Sequence, residues 1–442
     1  MGVSGKGMAV LLKRLGASMV LYDAKPGLDM GAIIEELSLP ADTQTLQGSL
    51  CGQDFEGIDA LAVSPGVPMN NSDVRLAAGK GIPVLGEVEL AYEASKGWLA
   101  AITGTNGKTT TTALVGEIMK SVFEDVYVVG NIGTSYAAVA LDTEETSVTV
   151  AEISSFQLET VHSFHPDVSA ILNITPDHLD RHGTFEEYAA CKLRITENQG
   201  PDDVCVINYD DEYLREHTKN LAPRVVYFSR KTRLDEGVFL DGEDIILKTA
   251  DGCDRIVSRN EINLMGDHNV ENVMAAAAVA FSMGAEIPTI AQVIRNFTAV
   301  EHRIEYVCTR KGVKYYNDSK GTNTDASSKA IEAMTDPTIL IAGGYDKGAD
   351  FTDWIRSFGG RVKQLVLIGS TAGTIMETAM MCGFDGVVMA GTLEAAVEYC
   401  AQAARPGDAV LLSPACASWD QFRCYEERGD LFKEYVRALP EE

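Results

Sequence analysis

The residues most suited to chemistry begin at Ala101-Ile-Thr-Gly-Thr-Asn-Gly-Lys-Thr-Thr-Thr-Thr112, a strand end, a glycine turn and a helix start. Backbone N–H groups of such a turn, with the helix N-terminus behind them, face an anion. Lys108 would reach the outer phosphates of a triphosphate, and the Thr109 hydroxyl would complete a Mg²⁺ shell. The general phosphate-loop spacing asks for glycine at position 102, where this chain has Ile102; Gly104 instead stands three before Gly107. From these residues alone, the held phosphate could be transferred to a substrate, drive a nucleotide switch, or activate an acid for ligation. An acidic metal ligand is expected at a neighbouring strand end. "SVTVAE" offers Glu152, and "DVSAILNITPDHLD" places Asn173, Asp177 and His178 just beyond another strand. Carboxylate and neutral imidazole are both reasonable ligands, the carboxylate being the one Mg²⁺ prefers.

The next helix, "GTFEEYAACKLRITENQ", opens with a capping box of Thr184 and Glu187. Steps of three and four from Phe185 give Tyr188, Ala189, Lys192, Ile195 and Thr196, so Lys192 lies on the apolar stripe. A bare buried ammonium is costly. Either its stem packs while its head reaches water, or the amine is paired or modified. Further along, "VKYYNDSKGTNTDAS" ends a strand with Asp318-Ser319-Lys320 followed by Thr322, "TILIAGGYDKGADF" carries Lys347, and "DAVLLSPACASWDQF" ends with Ser413 to Trp419. Lysines and hydroxyls at three strand ends suit a carboxylate-bearing ligand. Arg303, in "EHRIE", could reach a bound nucleotide.

The elements that must position these groups fall into three blocks of alternating strand and helix, an α/β fold class. Residues 1–96 read as a Rossmann-like domain with strands in "SMVLYDA", "IDALAVSPG" and "PVLGEVEL". The chain opens on a glycine turn and helix, "MGVSGKGMAVLLKRLG", without the strand that precedes such a turn in a doubly wound sheet; either the start is internal to the true gene product or this first sheet lacks one strand. Residues 97–299 read as a P-loop ATPase-like parallel sheet, with a small antiparallel layer over 202–260. Residues 300–442 read as a C-terminal Rossmann-like domain.

Acidic residues outnumber basic ones 64 to 37, a net charge of −27, and such a field repels a phosphate backbone, which argues against nucleic acid as a partner. Nine cysteines without paired spacing, Cys416 and Cys424 among them, read as reduced, inert thiols. No apolar run of about 18 residues suggests a membrane span. A soluble cytoplasmic monomer is the expectation.

The segments "GTNGKTTTT", "GNIG", "EISSFQLE", "NITPDHLDRHGTFEEYAACKLRI", "GDHNVENVMAAAA", "EHRIE", "NDSKGTNTDAS", "AGGYDKGADF" and "LLSPACASWDQF", in this order, resemble the Mur ligase family through essentially the whole chain. The resemblance implies three α/β domains: a UDP-sugar-binding domain (1–96), a central ATP-binding domain (97–299) and a C-terminal amino-acid-binding domain (300–442). "NDSKGTNTDAS" and "SPACASWDQF" look like the member that takes D-glutamate. Implied substrates are ATP, UDP-N-acetylmuramoyl-L-alanine and D-glutamate, joined through an acyl phosphate with Mg²⁺; the alternatives are a sister ligase with another amino acid, or a P-loop kinase. Carried over by position, Gly104, Thr105, Asn106, Gly107, Lys108, Thr109 and Thr110 hold the ATP phosphates, and Asn269, Asn272, Arg303 and Asp318 complete that site. Lys108, Glu152, His178 and Lys192 are the catalytic set; Thr109, Glu152, His178 and Lys192, as a carbamate, serve the metals. Lys320, Thr322, Lys347, Ser418 and Tyr425 surround D-glutamate. Val3, Ser4, Asp23, Lys25, Ser64, Gly66 and Asn131 meet the uridine end.

Overall fold

The structure, a computed structural model, describes residues 1–131, 134–298, 300–345 and 348–440. Two compact units emerge: residues 1–176, 181–258 and 272–294 form the first, and 177–180, 259–271 and 295–442 the second. Among the described residues no helix is long and apolar enough to cross a membrane.

In the first unit, β1 (Val20–Asp23) pairs in parallel with β2 (Gln44–Gln47), and β3 (Leu61–Val63) with β4 (Val84–Gly86), as two separate two-stranded sheets. β2 is mostly exposed and polar, which hides it from an apolar-run search. The expected strand over "PVLGEVEL" stops at Gly86, which caps the helix Glu87–Ala94. A Cβ at Gly86 would run into Thr160 Oγ1, so packing, not local propensity, decides this turn.

The large sheet is built from β5 (Trp98–Thr103), β6 (Val126–Gly130), β7 (Val148–Glu152), β8 (Val168–Ile171), β9 (Val204–Asn208), β10 (Arg224–Ser229), β11 (Gly237–Asp241), β12 (Asp244–Lys248) and β13 (Cys253–Ser258). Its order is β13-β12-β11-β10-β9-β8-β5-β7-β6. Strands β5 to β11 run parallel, and β12 alone runs against them, pairing antiparallel with β11 on one side and β13 on the other. The antiparallel layer expected over 202–260 is thus corrected: β9 to β11 continue the parallel sheet, and only the hairpin pairings of β12 at its edge are antiparallel. Met8, Leu11, Val88 and Ala91, from the helices Val3–Arg14 and Glu87–Ala94, share one core with Leu99, Val129, Tyr136 and Ile153. The buried Glu89 carboxylate anchors that joint, accepting from the N–H groups of His162 (2.8 Å), Ser163 (2.6 Å) and Phe164 (3.2 Å).

The second unit carries β14 (Glu305–Arg310), β15 (Val313–Asn317), β16 (Thr338–Ala342), β17 (Val362–Ile368), β18 (Val387–Gly391) and β19 (Ala409–Leu412). Their order is β14-β15-β19-β16-β17-β18, all parallel except β14. Leu340, Ala342, Leu365 and Leu411 fill the core on one face; Ile339, Ile341, Val366 and Val410 fill the other. The two-residue period of a strand buried on both sides explains the unbroken apolar runs.

Candidate active site

β5 is fully buried from Leu99 onward and delivers the chain to Gly104 with φ 152°. Gly107, at φ 87°, caps the helix Lys108–Lys120 in the left-handed region, and a Cβ there would run into Asn272 Oδ1. Both glycines are thus demanded by backbone shape and close approach. The turn is braced from beneath: Thr105 N–H donates to Asn173 O (2.9 Å), Asn106 N–H to Asn173 Oδ1 (2.9 Å), and Asn173 Nδ2 back to Asn106 O (3.0 Å). Thr105 Oγ1 donates to Thr175 O and lies 3.0 Å from the Tyr188 hydroxyl. Thr109 and Thr110 are buried on the first turn of the helix.

Lys108 folds back over this turn, donating to Gly104 O and Thr105 O, both at 2.8 Å. The stripe predicted on the helix Phe185–Leu193 is present: Tyr188, Ala189 and Lys192 are buried, and Thr184 caps the helix through Glu187 N–H. Lys192 does not reach water. It is 2 % exposed, donates to Gly104 O at 2.9 Å, and lies 4.7 Å over the Tyr188 ring. The amines of Lys108 and Lys192 therefore converge on one carbonyl oxygen, that of Gly104.

Glu152, the last residue of β7, is buried beside this turn's sheet. Its carboxylate accepts from Asn131 Nδ2 and its carbonyl from Asn131 N–H, both at 2.9 Å. Gly130, at φ 106°, permits that approach, since a Cβ there would collide with Glu152 O. The hydroxyl of Thr109 and the carboxylate of Glu152 are hard oxygen donors at the same sheet's strand ends, a donor chemistry that fits Mg²⁺. On the first block, Asp23 ends β1, accepting from Lys25 N–H (2.9 Å) and the amino group of Met1. Ser64 follows β3 close to Gly5; Val3 and Ser4 open the first helix, and Gly66 is exposed.

In the second unit, His178 sits at φ 53°, with Nε2 3.6 Å from Asp177, whose carboxylate accepts from Asn323 Nδ2 at 2.9 Å. Asn269, buried on the helix Asp267–Ser282, donates to Met265 O (2.7 Å). Asp318 is 1 % exposed and accepts from Ile304 N–H (3.2 Å) and Ser413 Oγ (2.7 Å). Burial pushes its carboxyl up to about 6, against the lowering pull of Arg303. Arg303 Nε has no hydrogen-bond partner among the described residues. Lys320 Nζ donates to the Tyr425 hydroxyl (3.0 Å) and lies 4.9 Å over its ring; His302 meets the same ring edge-on at 6.0 Å. Ser418 is buried after β19, and Thr322 is half-buried after β15. Lys347 lies outside the described residues.

Two groups escaped the sequence reading. His302, at φ 63°, is buried against Tyr425 with Nδ1 3.0 Å from Asn317 Nδ2. Arg428 is fully buried among the strand-end turns. Its signal was present: Arg428, Phe432 and Val436 recur every four residues on one helix, all buried, as Lys192 recurs on its own stripe.

Residues 102–280 match the Mur ligase middle domain, and residues 302–416 match the Mur ligase glutamate ligase domain. The UDP-N-acetylmuramoylalanine--D-glutamate ligase of Lachnoclostridium phytofermentans is 48 % identical over 441 residues, covering 100 % of this chain and 97 % of the relative. The enzyme of that name from Lachnospira eligens is 50 % identical over 440 residues, 99 % of this chain and 97 % of its own. Among solved structures, MurF from Acinetobacter baumannii aligns with a TM-score of 0.64 at 17 % identity, covering 96 % of this chain and 91 % of that one. MurC from Thermotoga maritima gives 0.62 at 16 % identity, with 99 % and 98 % covered. With two family domains matched in sequence order and relatives about half identical end to end, the chain belongs to the Mur ligase family.

Proposed function

We propose that this protein uses ATP to join D-glutamate to UDP-N-acetylmuramoyl-L-alanine through an acyl phosphate. The observation that carries the reading is the braced Gly104–Thr110 turn, with two lysines converging on it, in a chain half identical to relatives named for this ligation. A carboxylate at neutral pH is a poor electrophile. Phosphorylating it supplies a leaving group, after which the amine of D-glutamate attacks, a tetrahedral intermediate forms, and phosphate departs as the amide closes. Little covalent chemistry is asked of the protein beyond alignment and charge neutralisation.

The assigned roles follow the chemistry of each side chain. Residues Gly104 to Thr110 and Asn272 bind the phosphates and adenosine end of ATP, aided by Asn269, Arg303 and Asp318. Lys108 leaves its loop carbonyls for the outer phosphates, holding the oxygens that gain charge as the phosphoryl group moves. Thr109, Glu152 and His178 are assigned to Mg²⁺, which supplies charge neutralisation on those oxygens when bound. Lys192 is assigned as a carbamate, formed when its neutral amine adds CO₂ and releases a proton; the resulting anion would accept from Lys108 and offer an oxygen to a metal. Lys320, Thr322, Lys347, Ser418 and Tyr425 take D-glutamate, and Val3, Ser4, Asp23, Lys25, Ser64, Gly66 and Asn131 the uridine end. Three segments, 1–96, 97–299 and 300–442, divide these duties in our proposal.

The testing experiment measures phosphate release with ATP, Mg²⁺ and UDP-N-acetylmuramoyl-L-alanine, offering amino acids one at a time. Stimulation by D-glutamate alone, with the amide product confirmed by mass, is the expected result. Stimulation by a different amino acid would assign a sister activity, and turnover needing no amino acid would favour a kinase.

A further inference from the structure

The helix Tyr425–Ala438 carries Arg428 one turn in, with a guanidinium that is fully buried. It makes five contacts with other groups. Nε donates to Ser319 Oγ (3.0 Å), Nη2 to Ser319 O (2.8 Å) and Cys416 O (3.3 Å), and Nη1 to Cys416 O and Ala417 O (both 3.3 Å). No carboxylate lies within 4 Å of it among the described residues, although buried arginines are usually paired. Burial pulls the group down to about 10, so it stays charged at neutral pH.

Those contacts join two turns distant in sequence. Ser319 lies between Asp318 and Lys320 after β15, and Cys416 and Ala417 precede Ser418 after β19. A third turn is tied to the same point. Tyr345 N–H donates to Ala417 O (2.8 Å), and a Cβ at Gly344, φ 148°, would collide with that oxygen and sit 3.3 Å from Nη1. Ser319 Oγ also donates to Tyr425 O at 2.7 Å, closing the ring back onto the helix. One planar fork thus joins the turns bearing Lys320 and Ser418, and Ser319 ties them to the start of the helix that carries Tyr425. A lysine ammonium could keep the charge but could not hold carbonyls of two turns in a plane.

We infer that Arg428 is a positioning residue for the amino-acid substrate: its fork holds together the strand-end turns that carry Lys320 and Ser418, the residues assigned to that substrate. This rests on the proposed function above for the identity of the amino acid, though not for the geometry. The test compares Arg428→Lys, Arg428→Gln and Ser319→Ala with the wild type, reading KM for each substrate, kcat and thermal midpoint, after the wild type's own amino acid has been fixed by panel. Arg428→Lys should raise KM for that amino acid about tenfold, with ATP KM within about twofold. Arg428→Gln should raise it at least as much, and Ser319→Ala, which removes one acceptor of the fork and the hydroxyl's bond to Tyr425 O but keeps the other four contacts, by a few-fold. Unchanged amino-acid KM in a folded Arg428→Lys, or KM values rising alike for all substrates, overturns the inference. Should Arg428→Lys not fold, an unchanged amino-acid KM in Ser319→Ala does the same. A wild type that prefers another amino acid contradicts the D-glutamate reading alone, and the same ratios are then read with that amino acid.

Discussion

Single residues here are read best where burial and charge conflict. Lys192 is a buried amine that converges with Lys108 on Gly104 O, and the carbamate reading resolves the conflict. Lys192→Ala is therefore expected to lose most of its activity, with partial recovery on adding acetate as a stand-in carboxylate; a near wild-type rate in the alanine variant would remove Lys192 from the mechanism. Asp318 poses the opposite problem, a carboxyl raised by burial to about 6 from an ordinary 3.8. Its folded form binds the proton more tightly than its unfolded form, so this group favours folding at low pH. That contribution fades as pH rises from about 4 through about 6. Asp318→Asn should accordingly gain thermal stability relative to wild type between pH 4 and pH 7, then stay level. A gap that shrinks over that range would mean the carboxyl is not held protonated.

At the scale of elements, what sequence reveals is whatever depends on neighbours along the chain. The glycine turn after β5, the cap at Thr184, the apolar stripe through Lys192 and the parallel strands of the large sheet all follow from local pattern. Long-range contacts decide what is not legible. Gly86 ends β4 because Thr160 leaves no room for a Cβ, and the segment 202–260 extends the main sheet because β9 finds β8. Arg428 obeys the same four-residue stripe as Lys192, yet in the charged run "YEERGDLFKEYVRA" it reads as a solvated residue. Glu89 is equally hidden, since only the fold brings three N–H groups of the 162–164 turn to its carboxylate. Glu89→Gln is expected to lower stability by about 2–4 kcal/mol, because charge-assisted bonds are lost and buried donors are left poorly matched. Urea unfolding of the ligand-free protein measures it, and an unshifted midpoint would show that the joint between the helix Glu87–Ala94 and the large sheet does not depend on Glu89.

The whole molecule carries a charge of −27 while its proposed substrates are all anions. Local cations such as Lys108, Arg303, Lys320 and Arg428 must work against that field. Raising ionic strength from about 0.01 M to about 0.15 M shortens the screening length from about 30 Å to about 8 Å, so KM for the nucleotide sugar should fall over this range. A rising KM would mean that the local cations already dominate the approach. The central claim concerns what the phosphate loop's ATP does, and an oxygen label follows it directly. UDP-N-acetylmuramoyl-L-alanine labelled with ¹⁸O in its carboxylate is turned over with ATP and D-glutamate, and the released phosphate is weighed. Activation through an acyl phosphate predicts one ¹⁸O transferred to each phosphate; phosphate released without label would contradict it.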